Sequence, residues 1–155
     1  MKYLIFDFDG VLVDSMSLYM QTILGILDER SISYNRDNVI TNLMTRKQIE
    51  KMQYLIDTFG VDAKAEDLES YVIEQCNEAY LTKIPAKESV KETLSAMQRS
   101  GYSLNVLTAT AHPTVDLCLK RLGLDSFFEH VWTCEDFGLS KTDAALFEAV
   151  AEKPH

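Results

Sequence analysis

A chain of 155 residues with 46% hydrophobic and 25% charged residues has the composition of one folded domain that can carry a subdomain, and too much apolar content for disorder. Fifteen basic against 24 acidic residues leave a formal net charge of −9, with no Lys/Arg run. Nucleic acid and anionic membranes are therefore excluded as expected partners, because phosphate contact needs clustered cations. Cys76, Cys118 and Cys134 lie far apart with no C-x-x-C pair, which reads as free thiols in a reducing compartment rather than a disulfide framework or a zinc site. The opening apolar run ends at Asp7, too short for a secretory core, and no segment approaches the ~20 apolar residues of a membrane span. A cytoplasmic location is expected.

In chain order, Lys2–Phe6 is a short apolar run that reads as a strand buried on both faces of a parallel sheet. It ends in Asp7-Phe8-Asp9-Gly10. Met16, Tyr19, Met20, Ile23, Leu24 and Leu27 then share one helix face. Ile49, Met52, Leu55, Ile56 and Phe59 form a second stripe stopped by Gly60, and Leu68, Tyr71, Val72, Cys76 and Ala79 a third. Pro85 marks a return. Ser89 with Glu92 reads as a capping box that opens a helix stopping at Gly101. Tyr102–Leu107 is a second strand, Thr114–Leu122 a helix ending at Gly123, His130–Cys134 a weaker third strand, and Asp143–Val150 another helix. Alternation of strands and helices on both sides of a helical insert predicts an α/β fold with parallel pairing.

The carboxylates at i and i+2, leaving an extended strand, project to one side. Gly10 permits a sharp turn and close backbone approach to a ligand. Ligands of open parallel sheets bind beyond the carboxyl ends of the strands, where Asp7 and Asp9 lie. Thr108 closes the second strand and Lys141 follows the third. Taken singly, these helpers have plainer readings. Thr108 is then a strand-end hydroxyl satisfying a backbone group, with Thr110 able to replace it, and Lys141 a surface lysine. His112 before Pro113 is read as opening the next helix rather than as catalytic, Trp132 as packing rather than binding substrate, and Arg46 and Lys47 as a solvated helix start rather than a contact to an anionic substrate.

Asp7-Phe8-Asp9-Gly10-Val11-Leu12-Val13-Asp14-Ser15 resembles the first motif of the haloacid dehalogenase (HAD) superfamily. Thr108-Ala109-Thr110 is similar to its second motif and Lys141-Thr142-Asp143 to its third. The resemblance implies a Rossmann-like (HAD-like) α/β core, residues 1–14 and 85–155, with residues 15–84 as an inserted α-helical cap. It implies an Mg²⁺-dependent phosphomonoester hydrolase in which Asp7 is the nucleophile and Asp9 the acid and base. Mg²⁺ would be held by Asp7 and Asp9, the latter through its main-chain carbonyl. Thr108 would bond the phosphoryl group and Lys141 would neutralise it, with Phe8, Gly10, Ala109 and Thr110 binding phosphate. An acid at position 9 favours phosphoryl transfer over dehalogenation. A mutase would carry a histidine on the first cap helix, where Tyr19 stands.

The expected partner is a small phosphorylated metabolite, with oligomerisation left open. The family's fourth motif, an acidic pair after a further strand, is expected beyond His155. Glu135 and Asp136 precede Lys141 and do not take its place. The chain is accordingly expected to be a fragment of a longer protein, the alternative being a partner chain that covers the missing part. A non-catalytic protein binding phosphate or a partner is the rival function. A receiver domain, which also joins acids, Thr and Lys, lacks the helical insert.

Overall fold

The computed structural model describes residues 2–153; His155, where the sequence ends, lies outside them. Among the described residues three strands form one parallel sheet in the order β1 (Lys2–Phe6), β2 (Tyr102–Thr108), β3 (His130–Thr133). Leu4 is in register with Leu104, and Val106 with Val131, so the three carboxyl ends lie at one end of the sheet. Helices α1 (Ser15–Asp28), α2 (Arg36–Met44), α3 (Gln48–Phe59) and α4 (Ala65–Thr82) follow β1. Helix α5 (Val90–Arg99) precedes β2, α6 (Thr114–Leu122) precedes β3, and α7 (Ala144–Ala151) comes last. The predicted α/β class is the observed one. The chain divides into two compact units, residues 1–16 with 80–155, and residues 17–79.

In the α/β unit the middle strand carries the core. Residues 103–108 of β2 are all buried, because the strand has a neighbour on each side. Leu107, Trp132, Leu146 and Val150 form one cluster, so Trp132 packs, as expected. The prediction for β1 needs correcting. Among the described residues it has a neighbour on one side only, and Tyr3 and Ile5 are 41% and 45% exposed. A short apolar run has the same composition at an edge as in the middle of a sheet, so its sequence could not tell the two apart.

Two further departures are local. Ser89 sits before α5 with φ 60° and its side chain makes no cap hydrogen bond, so the expected capping box is not formed. Capping requires an extended N-cap backbone, and Ser89 is left-handed. Helix α2 had no sequence signal, since only Val39 and Leu43 of its nine residues are buried. It is opened by Asn35, whose side chain accepts from the Asn38 N–H at 2.9 Å. The predicted stop at Gly60 is there, with φ 66°.

The helical unit has its own core, in which Ile23, Leu27, Leu43, Met52, Leu55 and Val72 are buried together. Helix α3 shows how the pattern works: Leu55 is fully buried, whereas Ile49 on the same stripe is 37% exposed. Leu55→Ala should cost about 2–5 kcal/mol through lost burial and a residual cavity. Ile49→Ala should stay within about 0.5 kcal/mol. Urea unfolding of the two variants checks the difference.

Candidate active site

The loop after β1 is fastened before it can carry any chemistry. The Leu12 and Val13 N–H groups donate to the Phe8 carbonyl, and the Gly10 N–H donates to the Val13 carbonyl. Gly10 has φ +74°, with only the Met16 Cγ within 4 Å of where a Cβ would stand. The glycine is therefore required by backbone conformation and not by crowding. Val13 also bridges to Ala86, and the Asp14 N–H donates to the Pro85 carbonyl. The chain that leaves β1 and the chain that returns at Pro85 thus brace one another.

Asp7 and Asp9 emerge from this frame as expected. An oxygen of Asp7 lies 2.5 Å from the Lys141 ammonium and also accepts the Phe8 N–H at 2.7 Å. Both partners stay partly open to solvent, with side-chain exposures of 43% for Asp7 and 30% for Lys141, so a ligand can reach them. Asp9 is ringed by hydroxyls. One oxygen accepts from Ser15 at 2.8 Å and from Tyr80 at 2.5 Å, and the other accepts from Thr110 at 2.5 Å. Residues from the ends of all three strands thus meet here, Lys141 arriving on the loop after β3.

Thr108 behaves otherwise. It is fully buried, and its hydroxyl oxygen accepts the Thr110 N–H at 3.0 Å. In this arrangement Thr110, not Thr108, touches a carboxylate. Phe8 is also fully buried, so only its backbone is left for a ligand. Ala109 is exposed on the same loop as Thr110.

Three residues that the sequence did not single out shape this site. Ser15 is buried and bonded to Asp9. Tyr80 stacks on Phe8 with ring centroids 5.9 Å apart while its hydroxyl holds Asp9. Arg121 donates to the Tyr80 carbonyl at 3.0 Å and to the Ile84 carbonyl at 2.5 Å, fixing the chain that carries Tyr80. The Tyr80 and Arg121 contacts join positions far apart in sequence, so no local pattern announces them, whereas Ser15 closes the motif that begins at Asp7.

Burial pushes the Tyr80 phenol far above the ordinary tyrosine range, and its hydrogen bond to Asp9 and the Asp9 charge add to that, against smaller opposing effects of Ser15 and Thr110. A group that ionises later in the folded state contributes stability below its unfolded value, near 10, and loses it as pH rises beyond.

In the helical unit by itself, the Arg46 guanidinium lies 4.5 Å from the Tyr54 ring centre, and the Lys47 N–H donates to Glu50 as α3 begins. Lys51 lies over the Tyr19 ring and donates to its hydroxyl at 3.3 Å. Burial lowers the Lys51 pKa.

Tyr80→Phe should therefore flatten the loss of stability above about pH 10, besides costing about 1–3 kcal/mol at neutral pH for the lost hydrogen bond to a charged group. Thermal unfolding of both proteins from pH 7 to pH 11 measures this.

Over 143 residues the chain is 29% identical to pyrophosphatase PpaX of Bacillus velezensis, an alignment covering 90% of this chain and 62% of that protein. It is 30% identical over 135 residues to pyrophosphatase PpaX of Bacillus mycoides, covering 85% of this chain and 59% of the relative. The chain thus spans about three-fifths of the length of these curated relatives. Among solved structures, a provisionally assigned β-phosphoglucomutase of Thermotoga maritima superposes with a TM-score of 0.81 at 22% identity, over 98% of this chain and 70% of that one. This second kind of likeness carries the fold alone. Residues 4–155 match the family described as haloacid dehalogenase-like hydrolase, and the chain belongs to that family.

Proposed function

We propose that the chain carries the phosphoryl-transfer site of a phosphohydrolase that uses Asp7 as nucleophile and Asp9 as acid and base. The observation that carries this reading is the meeting of strand ends: Lys141 on Asp7, and Thr110 on Asp9. In the first step an Asp7 oxygen would bond to phosphorus while the bond to the leaving oxygen breaks, and Asp9 would give that oxygen its proton. In the second, water would attack the aspartyl-phosphate, surrender a proton to Asp9 and free Asp7. Ser15, Tyr80 and Thr110 keep the Asp9 carboxylate in one orientation between the two steps. The Lys141 ammonium, 2.5 Å from Asp7, would offset the charge of the incoming phosphoryl oxygens.

The donor set suits a hard cation such as Mg²⁺, since Asp7 and the loop carbonyls offer only oxygen. Among the described residues no three His, Cys, Asp or Glu side chains come together as a metal site. The residues that would hold the ion are the Asp7 carboxylate and the Asp9 carbonyl, with water and substrate oxygens completing the shell, an ordinary pattern for Mg²⁺. When bound, Mg²⁺ offsets the repulsion between Asp7 and the phosphate.

The substrate class in this proposal is a small phosphate ester, with the helical unit as the cap that selects it. The PpaX relatives, named as pyrophosphatases, favour pyrophosphate as a second candidate. No helix among the described residues is long and apolar enough to cross a membrane.

The test is release of phosphate from p-nitrophenyl phosphate and from pyrophosphate, with and without Mg²⁺. Turnover should need Mg²⁺ and vanish in Asp7→Asn, and Lys141→Ala should lose about 10²–10³-fold in kcat. Absence of turnover in a folded sample that still binds phosphate would favour the non-catalytic reading instead.

A further inference from the structure

Outside the residues already given roles, one cluster joins two loops of the site. His112 lies on the segment between Thr110 and α6. Its Nδ1 is 2.5 Å from an Asp116 oxygen on α6, and its Nε2 is 3.4 Å from Asp136. Asp136 belongs to the 3₁₀ turn Cys134–Phe137 that follows β3, and the same carboxylate oxygen accepts the Thr133 N–H at 2.7 Å. That turn is closed by the Gly138 N–H on the Glu135 carbonyl and the Leu139 N–H on the Cys134 carbonyl. Lys141 follows two residues after Leu139. Local needs explain the Asp116 contact, a pairing four residues apart at a helix start. They do not explain the second one, which reaches a different loop.

We infer that His112 is a positioning residue: as an imidazolium it clamps the loop bearing Thr110 to the turn that leads to Lys141, and so holds the groups on Asp9 and Asp7 in one arrangement. A neutral ring donates from one nitrogen alone and can satisfy only one carboxylate, so the clamp is whole only while both nitrogens carry protons. Asp116 and Asp136 are the charged groups that act on the ring among the described residues. Partial burial opposes its charge, but the hydrogen bonds and charges of Asp116 and then Asp136 outweigh this and raise its pKa. Asp136 answers in kind: burial pushes its pKa up, but the Thr133 N–H and then His112 more than offset that, and its pKa is lowered. With the folded value raised, the clamp is complete below about pH 6.5 and is lost as pH rises through that raised value.

The clamp stands on geometry alone; its effect on turnover rests on the phosphohydrolase reading. Two measurements on the whole chain separate them. Proton NMR of the three histidines should find His112 titrating above the ordinary range, and Asp136→Asn should lower its midpoint. Amide signals of residues 109–111 and 134–141 should shift with that same midpoint, and stay still in His112→Gln. If His112 titrates without moving the second loop, or ignores Asp136→Asn, the clamp is wrong and the ring serves α6 only. With p-nitrophenyl phosphate and Mg²⁺, kcat should fall about two- to fivefold across that titration, the scale of an exposed ion pair, and His112→Gln should lack the inflection. If no variant turns over at any pH, the function fails, and the NMR shifts still decide the clamp.

Discussion

The Asp9 carboxyl, just past the end of β1, accepts from three hydroxyls, and the α/β unit is arranged around supplying them. Its three hydroxyl partners come from Ser15 just after the loop, Tyr80 at the end of the helical excursion, and Thr110 after the middle strand. Each can reach Asp9 only if its own segment is in place. Bridging Val13 to Ala86 fixes the first, Arg121 on the Tyr80 and Ile84 carbonyls fixes the second, and the buried Thr108 holds the third. Charge-assisted bonds of this kind are stronger than neutral ones. One carboxyl group therefore draws its own loop and two distant stretches of chain to a common point.

Asp7 is organised differently. Its principal partner is a flexible ammonium rather than a ring of hydroxyls, and both stay partly exposed. A lysine is a mobile point charge that can follow an anion, whereas hydroxyls bonded on both sides hold a carboxylate still. The two neighbouring acids thus have opposite mechanical characters, one yielding and one held. That contrast suits a pair in which the first changes its bonding and the second only exchanges a proton.

Much of this was legible beforehand, and what was not has a common cause. The strand Lys2–Phe6 and the helix Thr114–Leu122 have the bounds expected of them, because a continuous apolar run or a 3.6-residue stripe between punctuating residues is a local signal. The acids, Lys141 and the loop bearing Thr110 were visible as a motif at strand ends. Tyr80 and Arg121 were not, since their partners lie 71 and 41 or fewer residues away, and nothing near them in sequence records the contact. The Ser89 box failed for a related reason: residue types permit a cap, but the approaching chain decides the backbone angle.

The register of the sheet has a consequence in time. Leu4 pairs with Leu104, exactly one hundred positions later, while the helical unit between them is built from contacts closer along the chain. During synthesis at ribosomal rates, β1 must wait on the order of 5–20 s for the strand it will lie against. The helical unit can form its own core in that interval. The two aspartates are translated early yet organised late, and until β2 emerges they hang on a tether with no sheet behind them.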